Sequence, residues 1–230
     1  MATLDYNEIW IATYTQFRAD SDVPASTDDE YTVGMRLANE AINYWSGFDS
    51  TYWKELYTTA QGNSTGGVVT ITTGTKTYAC PTAFREAGGF VRVQDANGND
   101  QARYPIIDPH EAQFKGSKDS YCFFTGGPIG WTLNLNPAPA SSLNGLNIDY
   151  VYYKYPTLFT TGTDVTELSE PYYIVHRILA NLFRASRNPY YASALRDSES
   201  AIKTMKLDNE GGTWANAPHM YDRSNSVFGG

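Results

Sequence analysis

Residues 169–207 read SEPYYIVHRILANLFRASRNPYYASALRDSESAIKTMKL and predict two consecutive helices. Asn188-Pro189 separates them, because proline lacks the backbone donor that a helix interior needs. Ser169 is the expected N-cap of the first helix, with Pro171 in its first turn. That helix carries an unbroken apolar stripe, the pattern of a core-facing helix: Ile174, Val175, Ile178, Leu179, Leu182 and Phe183. A second stripe continues to Met205, so the segment predicts one half of a helical bundle.

Residues 1–58 predict the other half of this bundle. A first helix is expected from about Leu4 to Phe17. A second follows Thr27-Asp28-Asp29-Glu30, which fits a capping box, and continues irregularly towards Leu56. Because neither end of the chain contains strands, the two helical ends are expected to pack on each other.

Residues 59–168 have a different texture, rich in Thr, Gly, Tyr and Asn. Six or seven short antiparallel strands are expected, including a hairpin between 68–72 and 76–80 and a tight turn at Asn97-Gly98. The predicted fold class is therefore α+β. A small antiparallel helical bundle, from residues 1–58 and 169–207, carries an inserted antiparallel β domain, either a barrel or a sandwich, and residues 208–230 form an extended C-terminal tail.

The net charge of −8 argues against a protein that binds DNA through a basic face. Residues 1–58 hold ten acids and three bases, whereas residues 171–206 hold six bases and two acids. Two such blocks should attract each other, within the bundle or between neighbouring copies. The residues expected to make these contacts are Asp28, Asp29, Glu30, Arg177, Arg184 and Arg187. The alternative is that the blocks are two separate solvated faces.

Catalytic and cofactor signatures are missing from the sequence. His110, His176 and His219 fall in different blocks without the ligand spacing of a metal site. No phosphate-binding loop, dinucleotide fingerprint or nucleophile elbow is present. We therefore expect a structural protein with no metal, no cofactor and no membrane span. Cys80 and Cys122 are expected to be free thiols, since no secretion signal is visible and synthesis in a reducing cytoplasm follows.

Residues 208–230 show neither a helical nor a strand period, yet they contain Trp214, Met220, Tyr221 and Phe228. A disordered tail usually lacks such side chains. The segment is therefore expected to order against a partner or to lie on its own domain.

Three local patterns, together with the order of helices and strands, resemble the head–tail adaptor (connector or head-completion) proteins of tailed bacteriophages. The patterns are Ala41-Ile42-Asn43-Tyr44-Trp45 followed by Trp53, Thr77-Tyr78-Ala79-Cys80-Pro81-Thr82-Ala83-Phe84 leading into Phe90-Val91-Arg92-Val93, and Tyr152-Tyr153-Lys154-Tyr155-Pro156 followed by Thr163-Asp164, Pro171 and Ile178-Leu179-Ala180. The second departs from the family in having Cys80 and Ala83 where Leu and Asp are usual.

The resemblance implies a virion protein of the neck, synthesised in the host cytoplasm. It implies a ring, usually of twelve copies, between the portal protein and a downstream tail or nozzle protein, through which double-stranded DNA passes without sequence-specific binding. The family's C-terminal segment commonly docks on the portal. By position, that role would fall to Trp214, His219, Met220, Tyr221 and Phe228.

The sequence is also compatible with two other functions. One is a different virion part: a tail-completion ring, a collar or a capsid decoration protein. The other is a carbohydrate-binding adhesin module built on the β domain, with Trp131 and the tyrosines as platforms for sugar rings.

Overall fold

A computed structural model describes residues 3–18, 22–60, 70–127 and 129–211. These residues form two compact units. One contains the described residues up to Leu56 and those from Pro156 onwards, and the other is Tyr57–Tyr155. The first unit is helical and the second is built from antiparallel strands, which confirms the α+β class.

The described residues of the helical unit form four α-helices, α1 Tyr6–Arg18, α2 Asp29–Gly47, α3 Tyr172–Ala185 and α4 Tyr191–Gly211. Helix α3 contacts the other three helices. Its predicted apolar stripe is confirmed, since Ile174 and Ile178 are completely buried. Trp10, Trp45 and Trp53 are also buried in this unit, and Trp53 Nε1 donates to the carbonyl of Trp45 at 2.7 Å.

The starts of two helices differ from prediction. The capping box before α2 is wrong: the N-cap is Asp28, without a side-chain cap, and its carboxylate instead accepts from the Ala25 amide at 2.7 Å. Helix α3 begins after Pro171 rather than after Ser169, and Glu170 accepts from the Tyr172 amide at 3.2 Å. Both acids therefore satisfy amides in the turn before the helix or at its first residue.

The ends of two helices also differ from prediction. Helix α2 stops at Gly47 and is followed by short 3-10 turns at Phe48–Ser50 and Lys54–Leu56. Asn209 of α4 holds this connection, donating to the Tyr52 carbonyl and accepting from the Lys54 amide, both at 2.9 Å. Since α4 continues to Gly211, the predicted start of the extended tail at residue 208 is wrong by four residues.

The segment from Pro156 to Leu168, which the sequence places in the β domain, lies in the helical unit. The Tyr6 amide donates to the carbonyl of Asp164 at 3.0 Å. The Asn39 side chain accepts from the Phe159 amide at 2.8 Å and donates to the Phe159 carbonyl at 2.9 Å. Individual hydrogen bonds therefore attach this segment to α1 and α2.

Among the residues that the structure describes, the β unit has eight strands in two sheets. They are β1 Tyr57–Ala60, β2 Thr77–Ala79, β3 Phe84–Ala87, β4 Phe90–Gln94, β5 Asp100–Pro105, β6 Tyr121–Gly127, β7 Gly130–Asn136 and β8 Asn147–Lys154. The larger sheet has the order β1-β8-β4-β5 with β3 also pairing β8, and the smaller has the order β2-β7-β6. Neither sheet closes within the described strands, so the barrel, one of the two predicted alternatives, is wrong. Both sheets contribute to one core, which includes Val91, Ile148, Leu133 and Phe124.

The predicted hairpin between 68–72 and 76–80 is wrong where the structure describes it; Val68 and Val69 lie outside the described residues. Thr70 forms a bridge with Asn147, whereas β2 pairs with β7. The turn at Gly74 exists, but it leads from one sheet into the other. By contrast, the tight turn at Asn97-Gly98 is confirmed: Gly98 has a φ of +81° and the Asp95 amide donates to the Asn99 carbonyl at 3.1 Å.

Candidate interaction surfaces

The described residues contain no group of three or more His, Cys, Asp or Glu side chains that could hold a metal ion. Both thiols are free, and burial raises the pKa of Cys122 to about 12 and that of Cys80 to about 11. Such thiols stay protonated and are poor nucleophiles at neutral pH. In the part of the chain that the structure describes, no helix has the length and apolar character needed to cross a membrane. The features that remain are surfaces.

A groove of about 680 Å³ lies between the start of α3, the face of α4 from Asp197 to Asp208, and Lys54. Ala201 and the buried Met205 contribute apolar surface to it, and Tyr172, half of whose surface is exposed, adds an aromatic side chain. Three carboxylates lie around this surface: Glu170, Asp197 and Asp208. We call this surface the acidic groove.

The charges of the acidic groove are largely uncompensated. Asp197 and Asp208 are exposed, and their carboxylates make no hydrogen bond or ion pair with any described residue. Glu170 is half-buried and accepts from the Tyr172 amide, and Lys54 is the groove's only lysine or arginine among the described residues. The groove therefore presents more negative than positive charge to solvent.

A second surface lies at the turn that joins α3 to α4. Arg184 and Arg187 are exposed there, and neither forms an ion pair within the described part of the chain. Between them and α4 lies Tyr190, which is 66% exposed and whose ring centroid is 6.1 Å from that of Phe183. Arg187 adopts a left-handed backbone with a φ of 55°. We call Arg184, Arg187 and Tyr190 the arginine corner.

The two charged sets predicted from the sequence do not meet within the described chain. Glu30 Oε1 lies 3.9 Å from Arg18 Nη2, and the Glu30 carboxylate accepts a hydrogen bond from the hydroxyl of Tyr14. Asp28 is engaged by the Ala25 amide, and Asp29 makes no ion pair among the described residues. On the basic side, the Arg177 guanidinium lies 4.5 Å from the ring centroid of Tyr44. Contacts of Asp28, Asp29 and Glu30 with Arg177, Arg184 and Arg187 of neighbouring copies stay a prediction.

The predicted portal-docking residues lie outside the described part of the chain. They are Trp214, His219, Met220, Tyr221 and Phe228, and the last residue that the structure describes is Gly211 in α4. Their role as a docking segment stays a prediction.

The β unit exposes apolar side chains at three separate places. Ile129 is fully exposed at the tip of the β6–β7 hairpin, and Phe114 and Phe90 are 79% and 55% exposed. Gly126 is required near this tip, because a Cβ atom there would lie 2.2 Å from the Gly130 carbonyl oxygen. Trp131, expected to be a sugar platform in the adhesin alternative, is instead partly buried against Phe84, with ring centroids 5.6 Å apart.

The acidic groove was not predicted, although the sequence contained a signal for it. Asp197 and Asp208 are eleven residues apart, which is close to three turns of a helix, so both lie on one face of α4. The second side of the groove comes from the start of α3 and from Lys54, which are distant in the sequence. Spacing alone therefore identifies the two aspartates but cannot identify the groove.

Comparison with known proteins agrees with the resemblance found in the sequence. The sequence model of the SU10 adaptor protein family matches residues 12–220. No individual curated protein shows significant similarity to the chain. Since the family match covers residues of both units and most of the chain, the protein belongs to the SU10 adaptor protein family, a family of phage head–tail adaptors.

Proposed function

We propose that the protein forms a ring of twelve copies beneath the portal protein, joins the capsid to the tail, and continues the channel through which DNA passes. Its membership of a head–tail adaptor family, over residues 12–220, is the observation that carries this proposal. A phage adaptor is a structural protein rather than an enzyme, and its place is the neck of the virion.

The surfaces of the helical unit support a ring. A closed ring is built from heterologous contacts, so each copy must present two different and complementary sides. The acidic groove and the arginine corner are two surfaces of opposite charge on one unit. The net charge of −8 also suits a channel wall, because carboxylates repel DNA phosphates and sequence-specific binding is not needed.

The C-terminal segment is proposed to dock on the portal protein, while another face of the ring meets the downstream tail or nozzle protein. Deleting Thr213–Gly230 should leave the circular dichroism spectrum and the thermal midpoint of the domain nearly unchanged. Binding to purified portal protein should be lost. Full portal binding by a folded, truncated chain would contradict this role.

The location can be tested by immunogold electron microscopy of virions, including partly emptied particles in which an occluded neck is exposed. Gold at a single vertex between capsid and tail is expected. Gold across the shell would instead identify a decoration protein, and gold at the tail tip an adhesin. A lack of labelling with a demonstrably accessible epitope would contradict a virion role.

A further inference from the structure

We propose that the acidic groove of one copy binds the arginine corner of the next copy around the ring. This inference rests on the proposed ring and names the surfaces that join its subunits. The occupant of the groove is thus a second copy of the same chain.

The first argument is geometric. Helix α4 begins beside Tyr190 and carries the groove along Asp197–Asp208. At a rise of about 1.5 Å per residue, Thr204 near the middle of the groove lies about 20 Å from Tyr190 along the helix axis. A rigid helix separates the two surfaces, so a copy cannot place its own corner in its own groove. Head-to-tail association requires two different surfaces on each copy, and the groove and the corner meet this requirement.

The second argument is chemical. Asp197, Asp208, Arg184 and Arg187 are exposed charges without partners among the residues described. Arginine forms charge-assisted hydrogen bonds with carboxylates, and its planar guanidinium can engage both oxygens. The contact would therefore compensate the four charges.

Tyr190 adds an apolar component to this contact. Its exposed ring can cover the apolar surface that Ala201 and Met205 contribute to the groove, beside the exposed ring of Tyr172. Tyrosine and arginine are enriched at the energetic centres of protein interfaces, because each combines a large contact area with hydrogen bonding. A surface of one tyrosine and two arginines matches an acidic groove with an apolar lining.

The acids at the start of α2 suit the arginine corner less well. The ring of Phe17, at the end of α1, lies 5.6 Å from that of Phe183, which in turn contacts Tyr190. Its neighbour Arg18 lies 3.9 Å from Glu30. These acids therefore belong to the same end of the helical unit as the arginine corner. A head-to-tail contact needs carboxylates at the other end of the α3–α4 pair, where the groove lies.

Charge reversal in the full chain tests the pairing. The groove variant is Asp197→Arg with Asp208→Arg, the corner variant is Arg184→Glu with Arg187→Glu, and the third variant carries all four changes. Sedimentation velocity measures self-association of each protein up to millimolar concentration, alone and with portal protein. We expect each double variant to associate at least about tenfold more weakly than the wild type, and the fourfold variant to recover, because its reversed groove again faces a reversed corner.

Two controls separate this pairing from general charge effects and from the alternative acids. Glu40→Arg with Glu199→Arg makes the same change in net charge on α2 and α4 outside the groove, and should associate like the wild type. Asp28→Arg with Asp29→Arg tests the acids at the start of α2. Circular dichroism verifies that every variant is folded, which is expected because the altered side chains are exposed.

The outcomes distinguish this inference from the proposed ring. If the wild type forms rings and the groove variant does so equally well, the pairing is overturned and the ring stands. The pairing is also overturned if the fourfold variant fails to recover. It is overturned as well if a chain that carries the corner changes together with Asp28→Arg and Asp29→Arg recovers its association instead. A wild type that stays monomeric at every concentration, even with portal protein, overturns both the pairing and the ring.

Discussion

The two units treat their aspartates differently. In the β unit, Asp95, Asp100, Asp108, Asp119 and Asp149 all accept hydrogen bonds from nearby groups. In the helical unit, Asp5, Asp28 and Asp164 likewise accept from nearby backbone amides, whereas the carboxylates of Asp29, Asp197 and Asp208 accept none from the described residues. Every described aspartate of the β unit is thus compensated locally, whereas the helical unit also leaves three aspartates, all in helices, available for another molecule. This difference makes the helical unit the better candidate for charged contacts between copies.

The difference has a cause in local structure. Turns between strands expose backbone amides, and an aspartate in a turn accepts them, as Asp95 does from the amides of Asn97 and Asn99 at 2.9 and 3.0 Å. A helix interior has no free amides, so an exposed aspartate in α4 has only side chains or another molecule as partners. Substitutions in each unit can break or sharpen this comparison.

The largest effect is expected in the core of the β unit. Phe84 is 1% exposed, and its ring centroid lies 4.7 Å from that of Phe124 and 5.6 Å from that of Tyr152. Phe84→Ala should lower the free energy of unfolding by about 3–5 kcal/mol, because it removes buried surface and leaves a cavity. Urea denaturation measures the loss. Phe90→Ala, at a position 55% exposed, is the control, and an equal loss in both variants would contradict the burial of Phe84 in the core of the β unit.

A smaller loss is expected in the core of the helical unit. A Cβ atom at Gly34 of α2 would lie 2.3 Å from Trp10 Cζ3 and 2.8 Å from the Tyr6 hydroxyl oxygen. Because Trp10 is itself buried, it cannot move aside freely. Gly34→Ala should therefore lower the free energy of unfolding by about 1–3 kcal/mol, despite the better helix propensity of alanine. Gly47→Ala in the same helix is the control. A Cβ atom at Gly47 has no neighbour within 4 Å, so this substitution should lower the free energy of unfolding much less. Equal thermal midpoints for the two variants would show that α1 and α2 pack less closely than described.

A pH-dependent effect is expected at Asp164, in the segment that precedes α3. Its carboxylate accepts from the backbone amides of Thr160 and Thr161, and these bonds hold the pKa of Asp164 well below its usual range. A lowered folded-state pKa contributes stability above the unfolded value of about 3.9, and this contribution is lost as pH falls through the folded value.

Asp164→Asn should therefore lower the thermal midpoint at pH 7, and the difference from the wild type should shrink as pH falls below about 4. Asp197→Asn removes a carboxylate that accepts no hydrogen bond from the described residues, so it should change the midpoint little at either pH. A difference for Asp164→Asn that is constant with pH would contradict the role of the charge.

The smallest effect is expected at Arg187, where the substitution should stabilise the protein rather than destabilise it. Its φ of 55° is a conformation that glycine adopts more easily, so Arg187→Gly should raise the free energy of unfolding by up to about 1 kcal/mol. Ser186→Gly, where φ is −84°, should lower it. If the arginine corner joins neighbouring copies, the more stable Arg187→Gly protein should nevertheless associate more weakly. Increased association would contradict the proposed contact.

The sequence by itself determined the features that depend on neighbouring residues. The apolar stripe containing Ile174 and Ile178 marked a buried helix face, and Asn188-Pro189 marked the break between α3 and α4. The Asn97-Gly98 pair identified a tight turn for a similarly local reason, since Gly98 takes a positive φ. The spacing of Asp197 and Asp208 placed both on one face of α4, although it did not identify a groove.

Only the tertiary structure decided the pairings between distant residues. Strand β2 pairs with β7 rather than with the segment before Gly74, because Tyr78 is buried opposite Leu133 in the shared core. Asn39 binds Phe159 across 120 residues, which brings residues 156–168 into the helical unit. The acidic groove needed α3, α4 and Lys54 together. Long-range contacts of this kind depend on burial and register summed over the whole fold, whereas local patterns fix only the elements that take part.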